Sequence, residues 1–166
     1  MKALIVDDSR ININVAKAML EKIGLEVDFA LSGLECLEKV KNNHYDIIFM
    51  DIMMPELSGV ETFKLLKENE NFNIPVIALT ADANIESKEK YLSLGFNGYI
   101  PKPINIDQLK NVIENFENYW YFYSLGMLNF IKIYGWYNLN VINYMSHNHA
   151  YCNLKWFFKN MQVRYI

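Results

Sequence analysis

The stretch Ile47-Ile48-Phe49-Met50-Asp51-Ile52-Met53-Met54-Pro55 decides the fold. A short apolar run ends in one carboxylate, and a loop containing proline follows at once. An unbroken run of that length fits a strand buried on both faces, as strands of a parallel sheet are. Asp51 then closes the strand at the carboxyl edge of the sheet, where open α/β folds place their ligand sites. An aspartate in that position is, taken alone, an ordinary loop or cap residue. Its weight comes from what other segments bring to the same edge.

Ala3-Leu4-Ile5-Val6 is a second buried-type strand, closed by Asp7-Asp8. Ser9 or Asp8 caps the helix that follows, whose apolar set is Ile11, Val15, Ala16, Met19, Leu20 and Ile23, with Gly24 as its stop. Leu25 to Phe29 alternates, as a half-exposed strand near a sheet edge does. Ser32-Gly33 opens a second helix with Leu34, Leu37 and Val40 on one side, and Asn42-Asn43-His44 breaks it. After the strand ending at Asp51, Glu56-Leu57-Ser58-Gly59 reads as a turn, and a third helix runs through Glu61 to about Glu68. Pro75 to Thr80 is a further buried strand with its proline at the tolerated first position. Asn84 to Leu94 is a weaker helix, Tyr99 to Pro103 a short last strand holding Lys102, and Asn105 and Asp107 begin a fifth helix. Five strand–helix units in succession specify an α/β fold, a (βα)5 doubly wound parallel sheet with helices on both faces.

Charge divides the chain of 166 residues. All 19 acidic residues lie at or before Glu117, so residues 1–117 sum to about −7 and the remainder to about +4. The acidic part is unsuited to nucleic acid, and no nucleic-acid partner is expected. Cys36 and Cys152 show no disulfide or metal spacing, which suits a reducing, cytoplasmic setting. Ala3 to Val6 is too short for a signal-peptide core, and no run approaches the length of a membrane span.

Asp7, Asp8, Asp51, Thr80 and Lys102 each follow a strand, so a doubly wound sheet makes them neighbours. At an effective dielectric near 20, two carboxylates about 4 Å apart repel by about 4 kcal/mol. Such a cluster either raises carboxylate pKa values or collects a cation. Oxygen-only ligands favour Mg²⁺. A lysine and a hydroxyl opposite the metal suit a phosphoryl group, and a carboxylate can itself serve as the nucleophile.

The segments Ile5-Val6-Asp7-Asp8-Ser9, Met50-Asp51-Ile52-Met53-Met54-Pro55 with Gly59, Ala78-Leu79-Thr80-Ala81 and Gly98-Tyr99-Ile100-Pro101-Lys102-Pro103 occur in the order and spacing of one family. Over residues 1 to about 117 the chain resembles the receiver (phosphoacceptor) domain of two-component response regulators. With Asn12, Val15 and Ile74 to Thr80 it is most similar to the receivers of hybrid sensor histidine kinases. The resemblance implies a flavodoxin-like strand order 2-1-3-4-5 and a signalling switch rather than an enzyme with an external substrate. Asp51 would accept a phosphoryl group from a phosphohistidine on a histidine kinase or histidine phosphotransfer domain. Asp8, Asp51 and the Met53 backbone carbonyl would hold Mg²⁺, with Asp7 acting through water. Lys102 would pair first with Asp51 and then with a phosphoryl oxygen. Thr80 would bond another oxygen, and Tyr99 would swing into the space that Thr80 leaves. Met53 and Asp82 match positions that tune phosphoryl lifetime, and the Lys102–Pro103 bond is cis in the family.

The pattern stops after Glu117. Residues 118–166 form an aromatic, Asn-rich tail without an acid and outside the family pattern. About 30 of its 49 residues are Phe, Tyr, Met, Ile, Asn or Lys, types encoded by AT-rich codons, as in a stretch translated past a shifted frame. Trp120 to Ile131 is amphipathic enough to lie on a membrane surface. His147, His149 and Cys152 supply three metal-type ligands but no fourth. Helix is expected from Asn105 to about Leu128 and poorly specified structure beyond. The competing functional readings are a docking module that binds a kinase or membrane surface without being phosphorylated, and a truncated or frame-shifted regulator without output.

Overall fold

A computed structural model describes residues 1–82 and 84–116, the side chains of Ile85, Ser87 and Lys88 excepted. Every expectation for the tail 118–166, and for a helix continuing past residue 116, lies outside the described residues. The described chain alternates strand and helix: β1 (Lys2–Val6), α1 (Arg10–Lys22), β2 (Glu26–Ala30), α2 (Gly33–Asn42), β3 (Ile47–Asp51), α3 (Gly59–Lys67), β4 (Val76–Thr80), α4 (Ile85–Ser93) and β5 (Gly98–Pro101). A fifth helix, α5, occupies residues 106–116. All strand pairs are parallel, in the order β2-β1-β3-β4-β5. This is the flavodoxin-like order 2-1-3-4-5.

The strands have the burial that their composition implies. All five residues of β3 and all five of β4 are buried, whereas β2, at the edge, buries only Ala30 completely. Period-2 alternation splits each inner strand between two cores. Leu4, Val6, Ile48, Met50, Val76 and Ala78 face Cys36 of α2, Phe63 and Leu66 of α3 and Tyr91 of α4. Ala3, Ile5, Ile47, Phe49, Ile77 and Leu79 face Ile13, Ala16 and Leu20 of α1 and Leu109 and Ile113 of α5. Register aligns the carboxyl ends: Val6 pairs with Met50, Asp51 with Leu79, and Thr80 with Pro101.

Several elements differ from the sequence-based expectation. On α1 the buried stripe is Ile13, Ala16 and Leu20, while Ile11 is 76% and Val15 46% exposed. Leu34 also faces outward on α2, where Gly33 and Cys36 are buried, and burial pushes the Cys36 thiol up to about 12. Gly59 begins α3 instead of closing a turn, because Ser58 and Glu61 form a reciprocal capping box. Ser9 and Ser32 cap α1 and α2 more simply, each hydroxyl accepting one N–H of the first turn, from Asn12 and from Glu35. The last strand ends at Pro101, so Lys102 and Pro103 stand just beyond it. Gly24 takes φ +93 at the end of α1, a conformation that glycine adopts without strain.

Tyr45, just before β3, is buried and donates to Asp28 of β2 at 2.6 Å, while Lys39 of α2 reaches the other Asp28 oxygen at 2.8 Å. Burial opposes ionisation of Asp28, but Lys39, Tyr45 and the Phe29 N–H together hold its carboxyl below the ordinary value of 3.8. The stability that this carboxylate contributes is complete above 3.8 and is lost as pH falls through the depressed folded value. Tyr45→Phe should therefore lower the unfolding free energy by about 1 kcal/mol at pH 7 in urea titration. The deficit should shrink at pH values where Asp28 is protonated.

Candidate functional site

The carboxyl ends of β1, β3, β4 and β5 carry the polar groups singled out in the sequence. Asp7 follows β1 directly and is buried. Its Oδ1 accepts from the Ser9 N–H at 2.9 Å and from Asn12 Nδ2 at 3.0 Å, with Oδ2 3.2 Å from the same amide nitrogen. Asn12 lies on the first turn of α1, so the helix that Ser9 caps also orients the Asp7 carboxylate. Asp8 is exposed. Asp51 ends β3, is buried, and its Oδ1 accepts from the Met53 N–H at 3.2 Å.

Lys102 joins these acids. Its Nζ lies 2.7 Å from Asp7 Oδ2 and 2.7 Å from Asp51 Oδ2. Its backbone N–H donates to the Thr80 carbonyl at 2.7 Å, and the peptide bond to Pro103 is cis. One carboxylate oxygen from each of Asp7, Asp8 and Asp51 lies within 4.8 Å of the others. Burial holds the Asp51 carboxyl above its ordinary value, against the pull of Lys102 and the Met53 N–H, and the neighbouring Asp7 adds to the rise. Burial works against the charge of Lys102, but the two carboxylates outweigh it and hold the ammonium above the usual lysine value. Three carboxylates around one ammonium make an oxygen-rich, net negative set that fits a hard divalent cation.

Gly59 determines how the loop after Asp51 closes. Its N–H donates to the Ile52 carbonyl at 3.0 Å, and a β-carbon there would collide with the Asp51 carbonyl oxygen. The start of α3 can therefore lie against the end of β3 only with glycine at this position. In the same loop Glu56 takes φ 62, the left-handed region that side chains avoid. Met53 is 74% exposed.

Thr80 and Tyr99 make no hydrogen bond to Asp7, Asp8 or Asp51 among the described residues. The buried Thr80 hydroxyl accepts from the Asp82 N–H at 3.1 Å and lies 3.5 Å from the Tyr91 hydroxyl. Tyr99 is half-buried in β5, opposite Ala78, and packs against the core that contains Tyr91. Two neighbours of the site carried no role in the sequence reading. Asn12 was visible only as a matching residue, and Tyr91 gave no signal beyond an aromatic on a helix.

Residues 3–114 match the family model of the response regulator receiver domain. The chain belongs to that family. This receiver is homologous to those of hybrid sensor kinases. It is 34% identical over 121 residues to the autoinducer 2 sensor kinase/phosphatase LuxQ of Vibrio vulnificus, a match that covers 72% of this chain and 14% of that protein. The receiver domain of Francisella response regulator 1452 shares 37% identity at a TM-score of 0.61, covering 65% of this chain and 88% of that one. The receiver domain of the sensor histidine kinase PA1611 from Pseudomonas aeruginosa has a TM-score of 0.62 and 31% identity, covering 69% and 94%. That structure has a magnesium ion coordinated in its active-site cleft. No helix among the described residues of this receiver is long and apolar enough to cross a membrane.

A carboxyl held above 3.8 favours folding while it is protonated. That contribution is complete below 3.8 and is lost as pH rises through the folded value, so ionised Asp51 costs stability at pH 7. Without divalent ions, Asp51→Asn should unfold at a temperature a few degrees higher than wild type in a thermal melt at pH 7.

Proposed function

We propose that this receiver is the phosphorylation-dependent switch of a two-component phosphorelay, and that Asp51 is its phosphoacceptor. The observation that carries the reading is the Lys102 ammonium, 2.7 Å from both the Asp7 and Asp51 carboxylates, with Asp8 in the same cluster. An Asp51 carboxylate oxygen attacks the phosphorus of a phosphohistidine on a histidine kinase or histidine phosphotransfer domain. The P–N bond breaks, an acyl phosphate forms, and the histidine nitrogen takes a proton from solvent. Lys102 then turns from the Asp51 carboxylate to a phosphoryl oxygen, and the Thr80 hydroxyl bonds another. Tyr99 follows into the space that Thr80 leaves.

Asp8, Asp51 and the Met53 carbonyl would hold Mg²⁺, and the ion supplies charge neutralisation for the incoming phosphoryl group. Asp7 already engages Lys102, Ser9 and Asn12, which supports its acting on the ion through water. Met53 and Asp82, two residues after Asp51 and Thr80, tune how long the phosphoryl group survives. The exposed apolar side chains of Ile11, Val15 and Met53 are candidate contacts for the donor. The exchange belongs in the cytoplasm, where ATP sustains histidine phosphorylation. Activity on the domain's own part is confined to self-phosphorylation and self-dephosphorylation.

Incubation of the full chain with a small phosphodonor and Mg²⁺, followed by intact-mass measurement, should show the gain of one phosphoryl group. Asp51→Asn and removal of Mg²⁺ with a chelator should each abolish the gain. A gain that survives Asp51→Asn rejects the assignment. Mg²⁺ at 100 times its dissociation constant should also stabilise the wild type by about 2.7 kcal/mol, and Asp8→Ala should remove most of that effect.

A further inference from the structure

Tyr91 carries a buried hydroxyl to which the phosphoryl chemistry assigns no task. Its ring stands edge-on to Phe96 at 6.0 Å, and Phe96 in turn lies 4.3 Å from Phe63 of α3. The Phe96 N–H donates to the Tyr91 carbonyl at 3.1 Å, so the chain just after α4 holds the residue from below. With the ring fixed by these contacts, the hydroxyl reaches Thr80 Oγ1 at 3.5 Å.

The Thr80 hydroxyl is thereby held from two elements, the Asp82 N–H of the following loop and Tyr91 of α4. At 3.5 Å the contact between hydroxyls is already at the limit of a hydrogen bond. Movement of Oγ1 toward a phosphoryl group on Asp51 changes that separation, and any lengthening breaks the contact. A buried phenol hydroxyl would then lose its partner, which is costly unless Tyr91 moves as well. The two groups share one arrangement before phosphorylation and part from it together.

We propose that Tyr91 is a positioning residue of the switch: its hydroxyl holds Thr80 in the unphosphorylated arrangement, and release of that contact carries the signal to α4. This is a task separate from that of Tyr99, which lies in β5. The proposal rests on the reading of Asp51 as the phosphoryl site, and the test keeps the two apart.

The full chain is titrated calorimetrically with fluoroberyllate in the presence of Mg²⁺, the fluoroberyllate standing in for a phosphoryl group. Wild type should bind and Asp51→Asn should not; failure here rejects the phosphoryl site itself. Tyr91→Phe removes one oxygen and keeps the ring against Phe96. It should bind fluoroberyllate about three- to tenfold more tightly, because the resting arrangement has lost its tether. In a Thr80→Val background the same substitution should leave affinity unchanged within about twofold, since coupled residues are not additive. A purely structural role would lower the melting temperature without tightening binding. Wild-type affinity or weaker in Tyr91→Phe, or a gain that persists undiminished in Thr80→Val, overturns the proposal. Hydrogen exchange on wild type reads the same coupling without a substitution: amides of residues 85–93 should exchange faster once the site is saturated, and unchanged rates also overturn it.

Discussion

One ammonium group, Lys102 Nζ, holds the carboxyl edge of this sheet together. It bonds an acid at the end of β1, 95 residues earlier in the chain, and a second at the end of β3. Burial of the two aspartates would be unfavourable without it, since an unpaired buried charge is costly. The lysine itself stays charged because two carboxylates outweigh its own desolvation. The edge is therefore balanced on mutual compensation, and a change of charge at any member redistributes the rest. That property suits a switch: on the proposed reading, a phosphoryl group on Asp51 would give Lys102 a new partner without emptying the site.

The sheet makes this arrangement by register. Parallel strands of nearly equal length put their last residues in one row, and right-handed crossovers put a helix start above each. Ser9, Ser32 and Ser58 cap those starts, and the Asn12 amide extends the first cap into a grip on Asp7. Gly59 lets α3 begin against the Asp51 carbonyl. The α2–α3–α4 core then links the Thr80 end of β4 to a helix, through Tyr91, Phe96 and Phe63.

The strands were legible because burial on both faces leaves little choice of residue: β1, β3 and β4 are short apolar runs with a polar stop. The convergence of Asp7, Asp8, Asp51 and Lys102 was legible for the same reason, since each follows a strand onto the same edge once the sheet is parallel. Helix faces were less legible. On α1, Ile11 and Val15 compete at helical spacing with Ile13, Ala16 and Leu20, and the small Ala16 does not mark the buried side. The serine and glutamate of the α3 capping box sit among turn-forming residues, which hid the start of that helix. Tyr91 could not be read at all. Its ring looks like ordinary core, and only the tertiary structure shows that its hydroxyl meets Thr80.

The central claim is that Lys102 and the acids form one centre able to receive a phosphoryl group on Asp51. The most direct measurement is a crystal structure of the chain with Mg²⁺ and fluoroberyllate. Beryllium bonded to an Asp51 oxygen, with Lys102 Nζ and Thr80 Oγ1 each about 3 Å from a fluorine, is the predicted result. Fluoroberyllate bound elsewhere, or Lys102 still bridging Asp7 and an unmodified Asp51, would contradict the account.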